Sequence, residues 1–188
     1  TIRPVGELDN NLLAELASTA GPRVAIDRLA SMNEPVVFPL IRLRGEHPGA
    51  DIPEMELVLD QGYYQQALKF IKEENLGGSC LETAVMLQAD VANLLTVLRF
   101  AHMPSERTLI RQQYNVQTVQ GLFVGPGYLP FELLQRAADQ DSVDKAINTL
   151  AGSRYADLLQ AGLKSYSHSS RLSDFERQFA RYRLKWMS

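Results

Sequence analysis

The chain has 188 residues, 45% of them hydrophobic, with 19 Lys and Arg against 22 Asp and Glu and a formal net charge of -3. That length and apolar content suffice for one sizeable core or two small helical units sharing an interface, while the near-balanced charge offers no phosphate-binding surface and excludes nucleic acid as an expected partner. A single cysteine, Cys80, leaves no internal disulfide and fits a reducing compartment; no uninterrupted apolar run reaches the ~18 residues of a membrane span, and the start TIRPVGELDN has neither secretory nor transit character, so the chain reads as soluble.

Residues 7–20 carry Leu8, Leu12, Leu13 and Leu16 at helical spacing, and Gly21-Pro22 ends the pattern. Val24 to Met32 predicts a second helix with Ile26, Leu29 and Ala30 on one side, broken at Asn33-Glu34-Pro35. The VVF between Pro35 and Pro39 has strand propensity, but Phe38, Ile41 and Leu43 also fit a helix opened by proline, and the helix is the reading adopted. Gly45 to Pro53 predicts a loop. Met55, Leu59, Tyr63, Leu68 and Ile71 then line one side of a long helix that tolerates Gly62 at a cost of about 1 kcal/mol. Gly77-Gly78-Ser79 turns the chain into the next helix, with Ser79 as its N-cap.

That next stretch, Leu81 to Ala101, is the one around which the rest is organised. Val91, Leu94, Leu95 and Leu98 fall at i, i+3, i+4 and i+7 and form one apolar stripe. Asp90 and Asn93 stand on an adjoining face, and a carboxylate and an amide beside a core-facing stripe need partners. Two readings stay open: a satisfied pair that fixes packing, or the wall of a concave surface that grips another protein. On the second, Asp90→Ala with Asn93→Ala weakens partner binding and leaves helicity nearly unchanged. Beyond Met103-Pro104 the pattern predicts a helix over Glu106–Tyr114, an ambiguous run from Val116 to Val124, and a break at Gly125-Pro126-Gly127 and Tyr128-Leu129-Pro130. Helices follow over Phe131–Ala138, Ser142–Leu150 and Arg154–Tyr166. SYSHSSR reads as a polar loop, and the last helix turns Leu172, Phe175, Phe179 and Tyr182 to one side. No period-2 run supports a sheet, so the fold class is all-α, built of helical bundle units.

Self-similarity links distant segments. IDRLASMNEPVVF and VDKAINTLAGSRY share an Ile/Val-Asp-Arg/Lys start and an aromatic end, with Ile26 matching Val143 at an offset of 117; PEMELVL and SDFERQF match Glu54 to Asp174 at an offset of 120. The repeat divides the chain into an N-terminal helix and linker over 1–23, a complete helical unit over 24–103, a connection over 104–141, and the first half of a second unit over 142–188.

Chemistry-bearing patterns are missing from the sequence. His47, His102 and His168 lack the spacing of helical metal ligands, the glycine-rich turns lack the trailing Lys-Ser/Thr of a phosphate loop, and Cys80 has no evident base beside it. The expectation is no metal, no cofactor and no catalytic residue.

LVLDQGYYQQALKF, followed by ADVANLLTVLRFA, resembles the rotary-ATPase subunit called C in V/A-type enzymes and d in the vacuolar enzyme. The resemblance rests on Asp60, Tyr63 and Tyr64 opening one helix, on the Asp90-x-x-Asn93 pair with Leu98-Arg99 in a second, and then on GYLPFELLQRA, GSRYADLL and LSDFERQFARY in the family's order, over about residues 24 to 187. Position 94 departs, since the family commonly has Lys or Arg where this chain has Leu94. The resemblance implies an all-α fold of similar helical domains arranged with pseudo-symmetry into a funnel, of which this chain would be a partial or shortened version. It also implies a non-catalytic central-stalk role in the cytoplasm, peripheral to the membrane through protein contacts. The partners would be the rotor-shaft subunits and the proteolipid ring, in support of ATP-linked proton or sodium transport without a small-molecule substrate. Asp60, Tyr63, Tyr64, Asp90, Asn93 and Arg99 are the candidate partner-binding or structural polar residues. A helical-repeat scaffold unrelated to rotary ATPases is the alternative.

Overall fold

The computed structural model describes residues 10–32 and 37–187, without the side chains of residues 185–187. Residues 7–9 of the first predicted helix and the break at Asn33-Glu34-Pro35 lie outside the described residues. Those described form α-helices and short 3-10 turns with no strand, which agrees with the all-α reading. They separate into two compact units, one through Gly62 and one from Tyr63.

The first unit holds α1 (Asn10–Ala17), α2 (Pro22–Ser31), α3 (Phe38–Glu46) and the start of α4 (Ile52–Glu73). Pro22 and Pro39 sit in the first turns of α2 and α3, where a missing N–H costs nothing. Ile26, Val37 and Leu40 form the buried core, with Leu29, Ala30, Ile41, Met55, Val58 and Leu59 packed against it. The helix expected around Pro39 exists, but it is turned: Leu40 is its buried residue and Phe38 is 49% exposed. Because α3 runs on to Glu46, the predicted loop shrinks to residues 47–51. There Asp51 and Glu54 close a reciprocal capping box, with the Glu54 amide donating to Asp51 Oδ1 at 3.3 Å and the Asp51 amide to Glu54 Oε2 at 3.1 Å. His47 Nδ1 lies 2.8 Å from the other Glu54 oxygen, so this buried carboxylate is fully engaged. Gly62 continues α4 for a reason of space, since a Cβ there would stand 2.5 Å from the Pro39 ring.

The second unit contains the rest of α4, then α5 (Cys80–His102), α6 (Arg107–Gln113), α7 (Phe131–Ala138), α8 (Val143–Thr149), α9 (Ala156–Ser169) and α10 (Ser173–Met187). A short 3-10 turn at Pro104–Glu106 leads into α6, and another at Val119–Leu122 lies within the run from Val116 to Val124 whose pattern is ambiguous. α5 is central and packs against α7, α8 and α10. Ser79 caps it as the sequence suggests, accepting from the Glu82 amide at 3.1 Å, while the Glu82 carboxylate reaches back to the Gly78 amide at 2.5 Å. Burial extends well beyond one stripe: Val85, Leu87, Ala89, Val91, Leu94, Val97, Leu98, Phe100 and Ala101 are all inside, and so are Asp90 and Asn93. By length and hydropathy α5 alone among the described helices could cross a bilayer, but 61% of its apolar window is buried in the unit, as befits a core helix.

α9 overruns its predicted end by almost a turn. Tyr166 anchors that turn, its ring 5.7 Å from Phe175 and its hydroxyl 2.6 Å from His102 Nδ1. The Ser167 hydroxyl and the His168 ring both bond back to the Lys164 carbonyl, so polar side chains that suggested a loop are satisfied on the helix itself. The helix stops only at Ser170, in the left-handed region at φ 54.

Candidate functional site

Asp90 and Asn93 are three residues apart on α5, nearly one turn, so their side chains leave the same side of the helix one above the other. Both are completely buried, and both hold the connection between the Val119–Leu122 turn and α7. The Asn93 amide behaves like a peptide group: its Nδ2 donates to the Gly125 carbonyl at 2.9 Å, and its Oδ1 accepts from the Val124 amide at 2.9 Å. Asp90 takes the far end of the same loop, accepting from the Tyr128 amide at 2.9 Å and from the Leu129 amide at 3.1 Å. A third donor, the buried Tyr155 hydroxyl, reaches Asp90 Oδ2 at 2.7 Å and ties in the start of α9. Pro126 and Pro130 have no N–H to offer, so the clasp draws on donors of Val124, Tyr128 and Leu129.

Gly127 lets the loop descend onto α5. A Cβ at this position would lie 2.1 Å from Asp90 Oδ1 and 2.9 Å from the Met86 carbonyl oxygen. Its φ is not in the left-handed region, so glycine is required here by space alone.

Burial pushes the Asp90 carboxyl above the usual carboxylate range, against the opposing pull of the Tyr155 hydroxyl, the Leu129 and Tyr128 amides and the Arg154 charge. Burial, reinforced by the Asp90 charge, likewise raises the Tyr155 hydroxyl, which stays a neutral donor. Folded Asp90 therefore holds its proton to higher pH than the unfolded chain does. Its titration adds stability that is fully present below the ordinary carboxylate value and lost as pH rises through the raised one. The difference in unfolding free energy between the natural chain and Asp90→Ala is accordingly expected to shrink from acid pH toward neutrality, as denaturant titrations at a series of pH values would show. A gap that widened with pH would mean that hydrogen bonding outweighs burial.

The Arg154 guanidinium lies over the Tyr128 ring, 4.0 Å from its centroid and 6.0 Å from that of Tyr155. The other residues singled out from the sequence are dispersed. Asp60 is exposed on the first-unit portion of α4, its carboxyl raised by partial burial and by the Glu56 charge one turn before it. On the second-unit portion, Tyr63 is 56% exposed and meets Tyr64 edge to face at 5.2 Å. Tyr64 lies against the clasped loop, where a Cβ on Gly125 would come within 2.9 Å of its own Cβ. Arg99 is exposed in the last turn of α5, where its charge complements the helix dipole. Leu94 is fully buried, which explains the departure at that position: a cation there would be stranded in the core. Among the described residues no group of three or more His, Cys, Asp and Glu converges as a metal site. An open groove of about 720 Å³ runs between the first half of α5 and the end of α10, lined mainly by Leu81, Ala84, Leu87, Ala180 and Leu184, with Arg183 at its edge.

Sequence reasoning found Asp90 and Asn93 but did not connect them to Tyr155, Gly127 and the loop amides. The signal was present in GYL, Gly127 to Leu129, and in SRY, Ser153 to Tyr155. Each was noticed as a separate motif, and the structure brings both onto the Asp90-x-x-Asn93 pair. Three of the motifs that carry the resemblance, Asp90-x-x-Asn93, GYL and SRY, are thus parts of one buried hydrogen-bonded cluster.

Comparison with curated proteins gave no match, and comparison with solved structures gave none. Comparison with protein-family models matched residues 1–188, the full sequence given, to "ATP synthase (C/AC39) subunit". The chain belongs to the ATP synthase (C/AC39) subunit family.

Proposed function

We propose that this protein is a non-catalytic central-stalk subunit that couples the rotor shaft of a V/A-type ATPase or ATP synthase to the membrane proteolipid ring. The observation that carries this reading is the family match over all 188 residues. A helical frame suits such a role, because a coupling element must resist deformation, and a core helix with satisfied buried polar groups is stiff. Attachment to the membrane would then run through protein contacts, in the cytoplasm.

The helical repeat belongs to the same reading. α2, α3 and α4 follow one another as α8, α9 and α10 do, and the matched residues Glu54 and Asp174 are both buried carboxylates near the start of the third helix. Glu54 bonds to His47 at the end of α3 and Asp174 to Ser169 at the end of α9. The division into a complete unit over 24–103 and the first half of another over 142–188 belongs to this proposal, and these parallels bear on its first three helices, while the compact units themselves separate at Gly62.

Affinity-tagged protein, expressed from its full gene in its own host, is expected to co-purify with the shaft subunits and the proteolipid ring in fixed stoichiometry. A stable complex that contained neither would sink the proposal.

A further inference from the structure

The clasp holds an exposed surface. Tyr128 is 39% exposed although its backbone amide is bound by the buried Asp90, and Pro126, Pro130 and Arg154 around it are exposed too. Two prolines with fixed φ and the bonds from Asn93 and Asp90 leave this loop one conformation, so its outward side chains are ordered before anything binds. The Arg154 guanidinium carbon lies over the Tyr128 ring, 4.0 Å from its centroid, and the residue is exposed, so its N–H donors are open to a partner. Its charge is felt by Asp90, yet the Asp90 oxygens are occupied by Tyr128, Leu129 and Tyr155, and among the described residues no carboxylate lies within ion-pair distance of Arg154. A tyrosine on a rigid loop with an arginine from the α8–α9 connection over its ring has the composition of an interaction hot spot.

We propose that Tyr128, Arg154, Pro126 and Pro130 form a docking surface for an acidic segment of a protein partner, whose Asp or Glu carboxylate accepts from the Arg154 edge while its neighbouring side chain packs on Tyr128. Charge complementarity sets the occupant: an exposed guanidinium held over an aromatic ring matches a planar carboxylate in two-pronged fashion, and lysine does not reproduce that geometry.

This inference rests on the coupling role proposed above, and the partner is a subunit of that assembly. The test uses the full chain, purified shaft subunits and, separately, phosphatidylglycerol vesicles. Arg154→Ala, Arg154→Lys and Tyr128→Ala are each expected to weaken shaft binding by about tenfold, with Tm close to that of the natural chain. A photo-crosslinking amino acid at position 128 is expected to mark a segment that contains Asp or Glu, and reversing that acid to Arg should restore binding to Arg154→Glu. Unchanged shaft binding by all three variants would overturn the surface and leave the coupling role intact, as would cross-links only to segments without acids. Loss of vesicle binding alone would assign the patch to lipid phosphate and overturn the protein partner. If the natural chain binds no shaft subunit, the coupling role fails and the docking surface falls with it.

Discussion

Replacing Asp90 and Asn93 together with alanine is expected to lower Tm by about 10–20 °C, with loss of the cooperative fold of the second unit before any effect on partners is measurable. Of the two readings the sequence leaves open, the partner-gripping surface predicts the opposite result, a removal that spares the helix. Complete burial excludes that outcome. Asp90→Ala strands the Tyr128 and Leu129 amides and the Tyr155 hydroxyl, and Asn93→Ala strands the Val124 amide and the Gly125 carbonyl. Each orphaned group costs roughly 1–3 kcal/mol, and the burial penalty that vanishes with the Asp90 charge offsets only part of that. Because both side chains hold one loop, the losses should be less than additive, and about 4 kcal/mol for the double variant is the expected order. That is a large share of the 5–15 kcal/mol that stabilises an ordinary domain. Asp90→Asn should give little relief, since its amide N–H groups would face donors. Thermal unfolding followed by circular dichroism decides the matter; a Tm within about 2 °C of the natural value, with binding lost, would restore the surface reading.

Gly127→Ala is expected to cost about 3 kcal/mol, near the upper end for an added methyl in a packed site. The new Cβ would stand 2.1 Å from Asp90 Oδ1 and 2.5 Å from its Cγ, so either the carboxyl moves and releases its three donors or the loop lifts away from α5. The Met86 carbonyl, at 2.9 Å, is helix backbone and gives little. A double-mutant cycle separates steric from conformational cost: in the presence of Asp90→Ala, adding Gly127→Ala should cost well under half of what it costs alone, because the carboxylate it strikes is gone and only the Met86 carbonyl remains close. Full additivity in chemical denaturation would show that the glycine is needed for its backbone and not for its space.

Most of the helical plan was legible because helix signals are local. Proline in a first turn, Ser79 as a cap, and 3.6-residue periodicity operate within a few residues, and the structure places those helices close to where they predict. What failed was determined by distant groups. Phe38 faces out and Leu40 in because the rest of the first unit decides which side of a short helix is core. Tyr166 carries α9 past its predicted end because it finds Phe175 on the next helix and His102, 64 residues before it in the chain. The cluster was half legible. A carboxylate and an amide beside an apolar stripe announce that partners exist, but those partners lie 31 to 39 residues away in the loop and 65 away at Tyr155, beyond the reach of any spacing rule. The donors in the loop are backbone amides, moreover, which leave no trace in residue type.

Gly127 and Asp90 also constrain how such a chain can diverge. A larger residue at position 127 is blocked while the carboxylate stands beneath it, and loss of the carboxylate alone orphans the donors that the glycine admits. Single-step replacement at either position is expected to pass through a less stable chain, which favours paired changes. The two positions form one inherited character, and Tyr155, whose hydroxyl shares the same oxygen as the Tyr128 amide, is tied to both.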